Sequence, residues 1–106
     1  REATRCVLRP HGVFGVIAPF NFPVALSAAM ITGALLGGNT VVFKPSPLAG
    51  LTGRLLVDAF SEGGLPEGVL NLVCGAAEVG EALVANRDVA TLAAQFFCDW
   101  AFLRIK

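Results

Sequence analysis

The spacing of apolar and polar positions changes several times along the chain, and each change marks the edge of an element. Val13, Phe14, Gly15, Val16, Ile17 and Ala18 are apolar or small at every position, the pattern of a short strand covered on both faces. Pro19 stops that run, and Phe20-Asn21-Phe22-Pro23 forms a constrained turn whose proline suits the first turn of a helix. Leu26, Met30, Ile31, Ala34 and Leu35 then recur at helical spacing until Gly37 and Gly38. Thr40-Val41-Val42-Phe43, rich in β-branched residues, predicts a second strand closed by Lys44-Pro45. Ser46-Pro47-Leu48 leads into a second helix with an apolar stripe of Leu51, Leu55, Leu56, Ala59 and Phe60, ended by Gly63-Gly64. Beyond the turn Leu65-Pro66-Glu67-Gly68, residues 69–73 predict a third strand. Val79, Ala82 and Leu83 predict a short helix behind a turn at Gly75, and residues 89–92 a fourth strand.

The order β-α-β-α-β-α-β defines an α/β chain: a partial Rossmann-like parallel sheet with flanking helices. Ligands of such sheets bind at the carboxyl ends of the strands. Here those ends are Ala18-Pro19-Phe20-Asn21, Lys44-Pro45-Ser46 and Cys74-Gly75, so the few polar groups of an apolar stretch fall where a ligand would sit. Residues 1–92 are expected to be a partial nucleotide-binding domain and residues 93–106 a divergent C-terminal tail.

Composition narrows the function. Eight basic and eight acidic residues cancel, leaving no field to draw the chain to nucleic acid or an anionic membrane. Charged residues make up 15% of the chain against 55% hydrophobic, below the roughly 25% charged usual in soluble domains. Much apolar surface is therefore expected to be covered by further chain. Residues 13–43 carry no charge, which calls for a membrane test, and Gly33 and Gly37 even share the spacing of a helix-dimerising pair. Pro19, Asn21 and Pro23 interrupt the front of this stretch and Gly37-Gly38-Asn39 the back. The uninterrupted helix spans only roughly 20 Å at ~1.5 Å per residue, short of the about 30 Å of a bilayer core, so a buried core segment is expected. The start Arg1-Glu2-Ala3-Thr4-Arg5 has neither an initiator Met nor an apolar signal core, the pattern of an internal start or a truncated chain.

Cys6, Cys74 and Cys98 match neither a disulfide framework nor a zinc spacing, and no metal site is expected. A reduced, intracellular protein is the plain reading. Cys74 stands at a strand end beside a possible helix N-terminus, a setting that lowers thiol pKa values. No base is placed near it, and a buried packing role is expected. Cys6 is expected in an exposed N-terminal strand, Cys98 among the aromatic residues of the tail, and His11 as a turn residue without catalytic partner.

Three linked segments resemble the aldehyde dehydrogenase family in order and spacing over about residues 7 to 90. They are Ile17-Ala18-Pro19-Phe20-Asn21-Phe22-Pro23, Gly38-Asn39-Thr40-Val41-Val42-Phe43-Lys44-Pro45-Ser46 and Gly64-Leu65-Pro66-Glu67-Gly68-Val69-Leu70-Asn71. The stretch from Arg9-Pro10-His11-Gly12 to Pro23 looks most like the branch that oxidises glutamate semialdehyde (pyrroline-5-carboxylate). The resemblance implies oxidation of an aldehyde to a carboxylic acid with NAD or NADP, in a homo-oligomeric intact parent of the cytoplasm or mitochondrion. In that chemistry a cysteine thiolate attacks the carbonyl, hydride passes to nicotinamide, and a glutamate-activated water releases the acyl group.

By resemblance, Asn21 would donate its amide to the oxyanion of the tetrahedral intermediate; the alternative is a buried Asn capping the next helix. Lys44 would reach the adenosine ribose or phosphate edge of the cofactor, against a solvated strand-end lysine. Ala18, Pro19 and Phe20 would line the same cleft, largely through backbone. Ser46 contributes a hydroxyl or only begins the helix, and both readings stay open. Gly75 and Gly80 fall where the family has a glycine-containing turn before a helix near the pyrophosphate; a plain helix start with a packing glycine is the equal alternative. Many NAD-preferring relatives carry a glutamate three residues after the lysine, where this chain has Pro47, so use of NADP is compatible with the pattern.

The downstream catalytic cysteine and glutamate of the family have no counterpart here, and the tail from Ala93 onward does not fit the family pattern. An incomplete oxidoreductase is the leading reading. A non-catalytic nucleotide-binding remnant, or an interaction fragment pairing with full-length subunits through sheet edges and tail, are the alternatives.

Overall fold

The computed structural model describes residues 1–94. Four strands, β1 (Val13–Ala18), β2 (Thr40–Pro45), β3 (Leu70–Leu72) and β4 (Val89–Ala94), alternate with three helices, α1 (Ala25–Leu36), α2 (Gly50–Glu62) and α3 (Ala77–Ala85). A 3₁₀ turn, Pro47–Ala49, precedes α2. The strands form one parallel sheet in the order β3-β2-β1-β4. The α/β parallel architecture read from the sequence is therefore the one observed.

β1 is paired on both edges and covered on both faces, which accounts for a segment with no polar side chain. Val16 and Ala18 join Ile31 and Ala34 of α1 and Val41 and Phe43 of β2 in one core, completed by Leu56, Val57 and Phe60 of α2. Ile17 points the other way, into a smaller core with Leu83 of α3 and Val89 of β4. Full burial of each such aliphatic or aromatic side chain contributes about 1.5–3 kcal/mol, so the larger core carries most of the apolar stabilisation.

One buried polar side chain joins three parts of the chain. Asn39 lies between α1 and β2; its Oδ1 accepts from the backbone N–H of His11 (2.6 Å) and Gly12 (3.1 Å). Its Nδ2 donates to the carbonyl of Ala34 at 2.9 Å. The next residue, Thr40, donates its N–H to the Gly12 carbonyl at 3.1 Å. The approach to β1, the end of α1 and the start of β2 are thus held at one point, where the parallel register Val13↔Thr40 begins.

Four expectations need correction. The apolar stripe of α2 does not face the sheet as a whole: Leu51 and Leu55 are 76% and 61% exposed. The helix instead approaches the sheet on the side of Gly53, where a Cβ would stand 2.7 Å from the Pro45 Cγ. The closest contact therefore falls to the residue without a side chain, and Leu56, Val57 and Phe60 pack beside it. The third strand is shorter than residues 69–73, although flanking bonds from Val41 N–H to Val69 O (2.8 Å) and Val73 N–H to Phe43 O (2.9 Å) continue its pairing. Cys6 is exposed but in no strand, since residues 1–12 join neither edge of the sheet. The fourth strand runs two residues beyond its expected end, to Ala94, pairing Ala93 and Ala94 with Val16 and Ile17. Cys98 and the rest of residues 95–106 lie outside the described residues. Among the described residues no helix is long and apolar enough to cross a membrane.

Two substitutions should move stability in opposite directions. Asn39→Ala removes three side-chain hydrogen bonds and takes the acceptor from the His11 and Gly12 N–H groups, a loss of about 2 kcal/mol. Ser27 of α1 is 1% exposed and its hydroxyl has no hydrogen-bond partner among the described residues. Ser27→Ala removes that buried hydroxyl and improves helix propensity, a gain of about 1 kcal/mol. Urea unfolding midpoints at constant m-value measure both changes; a stabilised Asn39→Ala or a destabilised Ser27→Ala would contradict the assignments.

Candidate functional site

In a parallel sheet all strands end at the same edge, and here the register Ala18↔Pro45 and Phe43↔Leu72 aligns them. The segments that follow β1, β2 and β3 therefore meet there. They are Pro19-Phe20-Asn21, Ser46-Pro47 and Cys74-Gly75, the three junctions singled out in the sequence.

Ala18 and Pro19 are buried, while Phe20 and Asn21 are exposed. The Asn21 amide makes no hydrogen bond within the described residues. It does not cap α1, since the cap position is Val24 and no side chain bonds there. The amide at the end of the central strand is thus unoccupied by any structural duty.

Lys44 differs most from an ordinary strand-end lysine. It is only 5% exposed, and its Nζ donates one long bond, 3.4 Å, to the carbonyl of Pro45. Among the described residues the only ion pair is the surface pair Arg54–Asp58, 2.9 Å apart, so no carboxylate compensates this ammonium. The solvated alternative does not hold, because the stem is covered by α3. Its Cε and Cδ lie 3.7 and 3.9 Å from where a Cβ would stand on Gly80, and Ile17 Cδ1 is 3.9 Å from the same point.

Ser46 caps the 3₁₀ turn, its hydroxyl accepting the Leu48 N–H at 3.4 Å. Pro47 opens that turn and presents no carboxylate to the edge. Gly75 leads from β3 into α3 so tightly that a Cβ there would overlap Val79 Cγ2 and come 2.9 Å from Val79 Cβ. The first turn of α3 holds a group that sequence reasoning passed over: the Glu78 carboxylate accepts the Ala76 N–H at 3.2 Å. Its signal was an acid in a first helical turn, where the helix dipole favours negative charge.

Cys74 is exposed rather than buried. β3 is a three-residue edge strand, and the chain has left the sheet by this point, so no element packs over the thiol. The His11 side chain is exposed in the segment before β1. No group of three or more metal-ligating side chains comes together among the described residues.

Two surface grooves lie away from this edge. One, of about 520 Å³, runs between α2 and β3 and is lined by Arg54, Asp58, Glu67 and Asn71 among others. The other, of about 590 Å³, is apolar and lies between α1 and α2, with Leu35, Leu36, Phe60 and Pro66 in its walls. Neither includes a residue of the three junctions, and the strand-end chemistry outweighs groove size as the guide to function.

A parallel half-sheet of this kind, with polar groups gathered at its carboxyl edge, defines a Rossmann-like α/β unit. The aldehyde dehydrogenase family model matches residues 1–95. The chain belongs to the aldehyde dehydrogenase family. It is similar to the N-succinylglutamate 5-semialdehyde dehydrogenase of Yersinia pseudotuberculosis, with 54% identity over 81 residues, 76% of this chain and 16% of that protein. The enzyme of the same name from Chromohalobacter salexigens is 53% identical over 87 residues, 80% of this chain and 18% of that one. Among solved structures, a variant of proline utilization A from Bradyrhizobium japonicum superposes with a TM-score of 0.77 at 40% identity, covering 78% of this chain and 9% of that one. An NAD-dependent aldehyde dehydrogenase from Sinorhizobium meliloti gives 0.76 at 35% identity, covering 79% of this chain and 17% of that one. The chain thus spans between 16% and 18% of the length of these two curated relatives.

The Gly75 turn yields a direct test. Gly75→Ala should cost roughly 2 kcal/mol through overpacking against α3, and Val79→Ala in the same chain should recover part of that loss by removing the overlapping methyl. Thermal melts of the two single variants and the double variant decide it: strictly additive losses would mean the two positions do not meet.

Proposed function

We propose that this chain is the cofactor-binding part of an NAD(P)-dependent aldehyde dehydrogenase acting on a glutamate-derived semialdehyde. The observation that carries the reading is the buried Lys44 ammonium at the end of β2, with one long hydrogen bond and no carboxylate partner among the described residues. Burying an unpaired charge is costly, and a buried cation short of acceptors is completed by polar or anionic oxygens. The dinucleotide offers both in its ribose hydroxyls and phosphates.

The surrounding residues fit such a ligand. Ala18 and Pro19 form a small, buried floor, and Phe20 borders it. Gly75 lets backbone approach closely, and the amino end of α3 favours negative charge through its dipole. Ser46 is engaged in its own turn, so its part at the edge is to direct the chain from β2 into α2. The bound nicotinamide supplies a hydride acceptor. Asn21, unbonded at the end of β1, is the donor for the oxygen that gains charge when a nucleophile attacks the aldehyde. A fixed donor in that position lowers a barrier by about 3 kcal/mol.

None of the chain's three cysteines takes the nucleophile's role in this reading: Cys74 is exposed with no base beside it, and Cys6 lies in the N-terminal segment. Turnover therefore belongs to the longer parent. The semialdehyde assignment rests on the similarity to N-succinylglutamate 5-semialdehyde dehydrogenases, together with the sequence of residues 9–23. Cofactor choice follows from Pro47: with no carboxylate there to repel a 2′-phosphate, NADP is admitted beside NAD.

Thermal melts of the chain with NAD and with NADP test the reading. A saturating dinucleotide at a hundred times its Kd adds about 2.7 kcal/mol of stability, and a domain of this size rises roughly 4–8 °C for each kcal/mol. Lys44→Met should weaken that binding about ten- to hundredfold, the loss of a charge-assisted bond. Pro47→Glu should lower NADP affinity more than NAD affinity. A folded chain whose melting temperature ignores both dinucleotides would end the proposal, and an unchanged response in Lys44→Met would remove its main support.

A further inference from the structure

We propose that Gly80 is a positioning residue: its missing side chain forms the channel that seats Lys44 at the carboxyl edge, so that it acts on the cofactor through the lysine rather than by contact. The inference rests on, and deepens, the reading of Lys44 as a cofactor ligand.

Nothing in the backbone requires glycine at this position. Gly80 is the fourth residue of the nine-residue α3, and it is absent from the glycines with positive φ. In a helix interior glycine costs about 1 kcal/mol relative to alanine, so local propensity argues against it. What the position provides is room. Lys44 leaves β2 on the same face as Val42, two residues earlier, and Val42 packs in the core that holds Leu83 of α3. The lysine stem therefore has to pass between β1, β2 and α3. Its Cε stands 3.7 Å and its Cδ 3.9 Å from the point a Gly80 Cβ would occupy, with Ile17 Cδ1 at 3.9 Å. A methyl group would touch these atoms at ordinary van der Waals distance, while an atom beyond the Cβ and directed at the stem would enter its space.

This geometry explains how an ammonium without a carboxylate stays buried. The stem is confined by Ile17 and α3, and among the described residues Nζ makes one hydrogen bond, to the Pro45 carbonyl at 3.4 Å. Filling the channel would displace the lysine toward solvent, where a mobile side chain must lose more entropy to hold a ligand.

The chain contains two lysines, Lys44 and Lys106, which makes amine chemistry easy to map by peptide. Acetic anhydride labelling of the full chain, followed by mass spectrometry, reads whether Lys44 is seated. In the natural chain Lys44 should acetylate at least about tenfold more slowly than Nα-acetyl-lysinamide, since reaction waits on local opening. Gly80→Ala should retain that protection and melt no lower. Gly80→Val, whose branched side chain has one preferred rotamer in a helix, should bring Lys44 close to the free rate; Gly80→Ser, one atom beyond the Cβ, gives the same reading if valine prevents folding.

Titration of Gly80→Val, Lys44→Met and the double variant with NAD then separates the two layers of the claim. Gly80→Val should weaken NAD binding in the natural background and have no further effect once Lys44 is methionine. A Lys44 that stays protected in a folded Gly80→Val or Gly80→Ser chain overturns the seating role. Additive losses in the double variant overturn action through the lysine. Lys44→Met without effect on NAD affinity overturns the cofactor reading, while the expected labelling pattern would still uphold the seating of the lysine by Gly80.

Discussion

The geometry of the molecule depends first on the hydrogen bonds of Asn39. Its oxygen gathers the N–H groups of His11 and Gly12 while its amide holds the last turns of α1 through Ala34. A parallel strand pair has no tight turn to set its register, because its ends are joined by a crossover. Here a side chain at the start of β2 performs that task by grasping the start of β1. With Val13 opposite Thr40, the pairing runs forward without a break to Ala18 opposite Pro45. A slip of one residue would turn Lys44 and Val42 toward the larger core and Phe43 away from it.

From that register the carboxyl edge follows, and close approach refines it. Gly53 lets α2 touch Pro45, which orients the exit from β2 and the 3₁₀ turn after it. Gly75 turns the chain from β3 into α3 against Val79, and α3 in turn covers Lys44. Two helices are thus placed by contacts in which one partner is glycine, and the polar groups at the edge inherit their positions from those contacts. The outer faces are less finished: Leu48, Leu51 and Leu55 stand open on one side of α2 and its lead-in turn. Such a surface suits a unit that is under a fifth the length of the curated relatives described above.

Much of this was legible beforehand where local chemistry dominates. Both faces of β1 had to be buried because residues 13–18 contain no polar side chain, and Pro19 and Pro23 bounded the turn that carries Asn21. The apolar period of α1 matched its buried side, with Ile31 and Ala34 in the core. The period of α2 misled, since Leu51, Leu55 and Ala59 form an equally good stripe on the helix. Periodicity reports that a face exists; which of two faces meets the sheet was decided by the Gly53–Pro45 approach between distant residues. Cys74 was misread for a similar reason, as its exposure depends on how short β3 is and on where α3 turns away.

The sequence by itself determined the order of strands and helices, the parallel α/β class, the family and the three junctions at which polar groups collect. These follow from hydrophobic period, from proline and glycine acting within a few residues of where they stand, and from motifs whose order along the chain is preserved. Only the tertiary structure decided that Asn39 joins three segments, that Lys44 is buried without a counter-charge, and that Gly80 lies over its stem. Each of those facts is a relation between residues 5 to 36 positions apart, brought within a few ångströms by the sheet and its covering helices. No local pattern encodes such a distance, because it is set by how the elements pack.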